Sequence, residues 1–115
     1  MESEGGRTMR RYFSAELLVR LREMPSDTAL ALIAATVKAD PAYRPVQDVG
    51  TRRWHAFTSR GDFEILTTGT KWYDTRERRG GGGAIDLAMH MLGLSFVEAV
   101  RHLTTLCVHH GHDHS

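Results

Sequence analysis

Three groups of residues in this chain carry side chains able to do chemistry. The first is basic and aromatic. Between Thr51 and Gly80 stand seven cations, Arg52, Arg53, Arg60, Lys71, Arg76, Arg78 and Arg79, against four acids, Asp62, Glu64, Asp74 and Glu77. The same stretch holds Trp54, Phe57, Phe63, Trp72 and Tyr73. Cations meet phosphates and rings stack on bases, so this mixture suits a single-stranded nucleic acid. The competing reading is a small sheet with its aromatics inside and its arginines in water.

The second group is the glycine run Gly80 to Gly83, which opens straight into an apolar segment. Glycines ahead of a helix expose bare N–H groups to an anion, helped by the helix dipole. No Lys-Ser/Thr follows, so this is not a Walker loop, and the G-x-G-x-x-G spacing of a dinucleotide site is missing. Gly80 and Gly81 are candidates for backbone contact with nucleic acid. The competing reading is a hinge that lets the next helix pack closely on a sheet.

The third group is the histidines, the acids near the glycines and the thiol. His90 and His102 fall on helical segments without a ligand partner four residues on, and read as packed or solvent-edge histidines. The histidines of the C-terminal run, 109 to 114, lack groups to orient them around a metal. Asp74, Glu77 and Asp86 stand near Arg76, Arg78 and Arg79 and more simply make ion pairs. Cys107 lies on an apolar stripe as a small hydrophobe. No nucleophile, base and orienting group assemble. The expectation is no catalytic residue, no bound metal and no cofactor, and the chain reads as a binding protein, not an enzyme.

The elements that must position these residues follow from pattern. Residues 1–12 are polar and glycine-containing and read as disordered. Phe13 to Met24 is a first helix capped by Ser14, with Leu17, Leu18 and Leu21 as its stripe. A second runs from Ser26 or Asp27 to about Lys38, ended by Asp40-Pro41. Pro41 to Gly50 is an extended connector. Trp54 to Thr58, Phe63 to Thr67 and Lys71 to Thr75 are three strands of an antiparallel meander, with turns at 59–62 and 68–70. Gly80 to Gly83 reads as loop, unable to be a helix or a strand centre. Ala84 to Leu92 is a third helix closed by Gly93. Ser95 and Glu98 form a capping box for a fourth. The fold class is α+β, a small three-stranded antiparallel sheet flanked by about four helices. One domain spans 13–108, with a flexible histidine-rich tail at 109–115.

Size and composition set outer bounds. At 115 residues the chain can bury one modest core. A hydrophobic share of 41% and a charged share of 25% are ordinary for a soluble domain. No apolar run approaches the roughly 20 residues of a membrane span. A single cysteine excludes an internal disulfide and fits a reducing compartment, so the cytoplasm is expected.

The central stretch resembles the N-terminal zinc-ribbon domain of bacterial DNA primases. It looks closer to a degenerate relative lacking the zinc ligands, found in primase or mobilisation proteins of plasmids, phages and integrative elements. The residues that carry the resemblance are Phe63-Glu64-Ile65, Lys71-Trp72-Tyr73, Gly80 to Gly83, Ile85 to Leu92, and Gly93-Leu94-Ser95-Phe96-Val97-Glu98-Ala99-Val100-Arg101-His102-Leu103. They cover about half of the chain. The family's Cys-x-x-Cys knuckle falls on Asp74 and Glu77, and its first ligand pair near Arg53 and Ala56, beside His55. Four N or S ligands are not available there. The resemblance therefore implies a zinc-ribbon-like core without zinc, with an Arg53–Asp74 or Arg53–Glu77 ion pair in the metal's place.

The resemblance also implies an accessory module that binds single-stranded DNA in replication or transfer of a mobile element. Its expected contacts are Arg52, Arg53, Arg60, Lys71, Arg76, Arg78 and Arg79 for phosphates, Trp72 and Tyr73, with Trp54, for stacking, and Gly80 and Gly81 for backbone approach. The alternative is an adaptor that docks a primase, helicase or relaxase subunit, or pairs with a second copy, without touching DNA. No membrane partner is expected.

Overall fold

The structure is a computed structural model and describes residues 13–113, with side chains described from 13 to 107. The disordered segment expected at 1–12 lies outside the described residues. Helix α1 is Ala15–Glu23, and Ser14 caps it by accepting from the Leu17 N–H at 3.1 Å. Helix α2 is Ser26–Ile33, and its start is tied to the rest of the fold through the Ser26 N–H, which donates to the Gly69 carbonyl at 2.8 Å. Ala29, Leu30 and Ile33 bury its inner face.

The expected second helix is about five residues too long. At Ala34 the backbone turns extended, with ψ at 149°, and the Ala35 N–H donates to the Phe57 carbonyl. The chain then forms strand β1, Thr36–Ala39. Thr36 and Val37 are β-branched, stiff in a helix and favoured on a pleated surface. An adjacent strand edge was enough to capture them.

Strands β2, Arg52–Thr58, β3, Gly61–Thr68, β4, Lys71–Asp74, and β5, Arg79–Gly82, complete an antiparallel sheet of five strands in the order β1-β2-β3-β4-β5. The expectation of three strands is therefore corrected at both edges, and the α+β class stands. The β2–β3 link is a two-residue turn, Ser59-Arg60, leading into Gly61 at φ 129°. The β3–β4 link uses Gly69 at φ 59°. These turns fall where glycine permits left-handed backbone.

Helix α3, Ala84–Leu92, ends at Gly93, whose φ of 68° closes it, with the Gly93 and Leu94 N–H groups both donating to the Met89 carbonyl. Helix α4, Phe96–Asp113, opens with the reciprocal cap expected: Ser95 N–H to Glu98 at 2.8 Å, and Glu98 N–H to the Ser95 hydroxyl at 3.1 Å. It continues through 109–113, the first part of the segment expected as a tail.

Pairing and burial assign the two faces of the sheet. Ala56, Ile65, Thr67, Trp72 and Asp74 are buried beneath the helices, in a core shared with Leu21, Leu30, Leu87, Met91, Val100 and Leu103. By alternation, Arg53, His55, Phe57, Glu64, Leu66, Thr68, Lys71 and Tyr73 stand on the opposite face, which no helix among the described residues covers.

Gly80 to Gly82 form a strand with Arg79, against expectation, and packing is the reason. A Cβ on Gly81 would overlap the Asp86 carboxylate and lie 2.7 Å from Trp72 Cζ2. The Gly82 N–H donates to Asp86 Oδ2 at 3.1 Å, and the Gly83 N–H to the Thr70 carbonyl at 2.8 Å. The strand lacks side chains so that α3 can close onto its edge.

Stability measurements will read this as a contrast between neighbours. Gly81→Ala is expected to cost about 1–3 kcal/mol by overpacking. Gly82→Ala, whose new Cβ would find its nearest neighbour 3.9 Å away, is expected to cost much less. Chemical denaturation of the two variants checks the difference.

Candidate nucleic-acid interface

The uncovered sheet face carries a groove of about 640 Å³. Leu66, Thr68, Lys71 and Tyr73 supply the sheet side of it, and Tyr43, Val46, Gln47 and Asp48 of the β1–β2 connector supply the other wall. Tyr73 is 41% exposed. Its strand neighbour on that face is Gly80, whose missing side chain leaves the ring edge clear: a Cβ there would sit 3.1 Å from Tyr73 Cδ1. Phe57 is exposed on the same face, and Val46 and Val49 are almost fully exposed on the connector. Of the large apolar side chains exposed among the described residues, only Val19 and Phe96 lie elsewhere.

The connector wall is held by Arg53. Its Nε donates to Asp40 Oδ2 at 2.9 Å, its Nη2 lies 2.7 Å from the same oxygen, and its guanidinium covers the Tyr43 ring at 5.0 Å. Glu64 stands 3.8 Å away, and His55 Nε2 lies 3.3 Å from Asp40 Oδ2. Asp40 also accepts the Ala42 N–H at 2.9 Å, which turns the chain into the connector. The Arg53 hydrogen bond, followed by that of Ala42, holds the Asp40 carboxyl below its usual value, and the same pairing raises Arg53. Arg53 thus pairs with Asp40 and Glu64, not with Asp74 or Glu77. The reason is register: Arg53 lies on the uncovered face and Asp74 on the helix side.

Asp74 is fully buried and has its own partner. His90 Nε2 lies 2.7 Å from Asp74 Oδ2, while Asp74 Oδ1 accepts the N–H groups of Arg76 and Glu77 at 2.9 and 3.0 Å. The imidazole stacks on Trp72, with centroids 4.9 Å apart, and meets Phe63 edge-on at 6.0 Å. Both oxygens of this carboxylate are hydrogen-bonded, which burial of a charge requires. His90 is therefore a packed histidine, as read, but with a carboxylate partner that the sequence did not announce.

The residues expected to form one surface are divided among four places. Lys71, Tyr73 and Gly80 line or border the groove, with Arg53 behind its wall. Arg52, Trp72, Arg79 and Gly81 have the helix-side register; Trp72 is core, 3% exposed, although Trp72 and Gly81 also line part of the groove. The Trp54 indole N–H donates to Thr67 at 2.8 Å, and that ring is half-buried on the helix side. Arg60, Arg76 and Arg79 border a separate cleft of about 380 Å³ at the opposite end of β3. That cleft is charge-balanced by Asp62, Asp74 and Glu77, and Arg76 points back to Asp62 at 3.8 Å. Arg78 is exposed in the β4–β5 turn at φ 57°. Sequence reasoning passed over Tyr43, Gln47 and Asp48. Their only signal was a connector holding an aromatic and two prolines, too long for a tight turn. Among the described residues, no group of three His, Cys, Asp or Glu side chains converges as metal ligands would, and no helix is long and apolar enough to cross a membrane.

Two outcomes test this geometry. His90→Ala removes the hydrogen-bond partner of Asp74 Oδ2 and is expected to cost roughly 1.5–3 kcal/mol, read by urea unfolding, with His55→Ala costing far less because that ring is partly in water. The second concerns acid. A carboxyl lowered in the folded state stabilises fully above its usual value, 3.8 for Asp40, and that stability is lost as pH falls through the lowered value. Asp40→Asn is expected to flatten the acid limb of the unfolding-midpoint-against-pH curve relative to the parent protein.

Neither a protein-family model, a curated protein nor a solved structure matches this chain.

Proposed function

We propose that this protein binds single-stranded DNA on the uncovered face of its sheet, with Tyr73 stacking on a base and Lys71 meeting a phosphate. The observation that carries the reading is the exposed Tyr73 ring beside Lys71, next to a glycine strand, in a groove walled by a second tyrosine. A base has an apolar face and a charged backbone, and this groove offers a ring and a cation side by side. A duplex keeps its bases stacked inside and has no ring face to offer.

The interface is smaller than the sequence implied. Trp72 serves the core, Arg53 fixes the wall, and Arg76 is paired with Asp62. The setting implied by the primase resemblance is replication or transfer of a mobile element, with the chain acting as an accessory to a separate catalytic subunit. On the helix side, the only large apolar side chains exposed among the described residues are Val19 and Phe96, so that surface lacks the broad apolar patch that would favour the adaptor reading.

The reading is tested by titrating labelled single-stranded and duplex oligonucleotides at two salt concentrations. Tyr73→Ala is expected to weaken single-strand binding by about 1–3 kcal/mol at either salt, as loss of one stacked base does. Lys71→Gln is expected to lower the salt slope by about 0.7, the share of one phosphate on a single strand. Equal affinity for duplex, or binding indifferent to both substitutions, would overturn the assignment.

A further inference from the structure

The groove carries an acid where a pure phosphate channel would have none. Asp48 lines it, and hydrogen bonds hold both its carboxylate and its main chain. Its Oδ1 accepts the Gly50 N–H at 2.8 Å, and its main-chain carbonyl accepts the Thr51 N–H at 3.0 Å. The hydrogen bond to Gly50 leaves Asp48 Oδ2 as the second acceptor of the same carboxylate. Gln47 stands beside it on the same wall. The Thr51 hydroxyl, on the same connector, bonds the Thr68 hydroxyl of the sheet at 2.7 Å. A carboxylate repels a phosphate placed next to it. It welcomes a group that donates hydrogen bonds.

Resting on the single-strand reading above, we propose that this groove selects a nucleobase bearing an exocyclic amino group, with Asp48 and Gln47 accepting its N–H bonds while the ring lies against Tyr73. Carboxylates accept from the cytosine amino group, and glutamine pairs with adenine. Guanine presents two adjacent donors on its pairing edge. Thymine flanks its single donor with two carbonyl oxygens, and these would face Asp48 oxygen to oxygen. Lys71, at the sheet side of the groove, is left to the phosphate. The groove therefore divides the nucleotide: acceptors for the base edge, a ring for the base face and a cation for the backbone.

The Gly50 cap makes a sharp variant possible. In Asp48→Asn the Gly50 N–H still needs an acceptor, so the amide oxygen takes that place and its NH₂ turns to the groove. An acceptor becomes a donor with the loop cap intact. Gln47→Ala, which does not touch the cap, serves as a second variant.

The experiment is competition between deoxy-homopolymer strands of equal length, oligo-dT against oligo-dC and oligo-dA, on the full chain. The parent protein is expected to bind the amino-bearing strands about tenfold tighter than oligo-dT, the scale of one good base contact. Asp48→Asn is expected to move the preference toward oligo-dT without changing the salt slope, and Gln47→Ala to narrow the gap for oligo-dA. Binding of all three strands with equal affinity would overturn base selection and leave single-strand binding in place. An unchanged preference in both variants would overturn the assignment to Asp48 and Gln47. Failure of every strand to bind would overturn the single-strand reading and this inference together.

Discussion

A buried carboxylate governs the geometry of this molecule. Asp74 sits at the end of β4 with no exposed surface, and a charge so placed must have its donors built around it. Two of them are nearby backbone N–H groups, of Arg76 and Glu77, which bend the chain into the β4–β5 turn. The third is His90, which reaches from α3. One side chain thus ends a strand, starts the return strand and clamps a helix across both. The Trp72 ring fills the space between by stacking on the same imidazole.

The clamp explains the glycines. With α3 drawn down to Asp74, its first turn lies against β5, where Asp86 receives the Gly82 N–H and no Cβ fits at Gly81. The described helices then share one side of the sheet, and among the described residues no helix lies on the other. An antiparallel sheet tolerates this readily. What distinguishes the uncovered side is its second clasp, Arg53 between Asp40 and Tyr43, which stands the connector up as a wall. Without that wall Tyr73 would be an isolated exposed ring; with it, the ring is one side of a groove.

How much of this the sequence disclosed depended on whether the cause was local. Ser14, the Ser95–Glu98 box, Gly69 and Gly93 act within a few residues, and each marks the boundary it was read to mark, while Gly61, read inside a turn at 59–62, opens β3. The three central strands were legible because β-branched and aromatic residues alternate between turn signals. The two edge strands were not. Thr36 to Ala39 continues an apolar pattern equally consistent with a helix, and pairing along β2 decides it. Composition misled at the other edge as well: the glycines from Gly80 onward have no strand propensity, and the partner strand and Asp86 impose the conformation. The proposed site was half legible. Tyr73 and Lys71 were named from their mixture of ring and charge. The pairing of Arg53 with Asp40, thirteen residues away, and the burial of Trp72 depend on register, which composition does not contain.

The central claim is that helices occupy one side of the sheet and single-stranded DNA the other. Amide chemical-shift mapping during titration with a single-stranded oligonucleotide tests it most directly. The account predicts that the perturbed amides cluster at Leu66, Thr68, Lys71 and Tyr73 and along the connector from Tyr43 to Thr51, with the inner faces of α1 and α2 silent. Perturbations centred on the helices, or on the Arg60, Arg76 and Arg79 cleft with the groove unchanged, would contradict it.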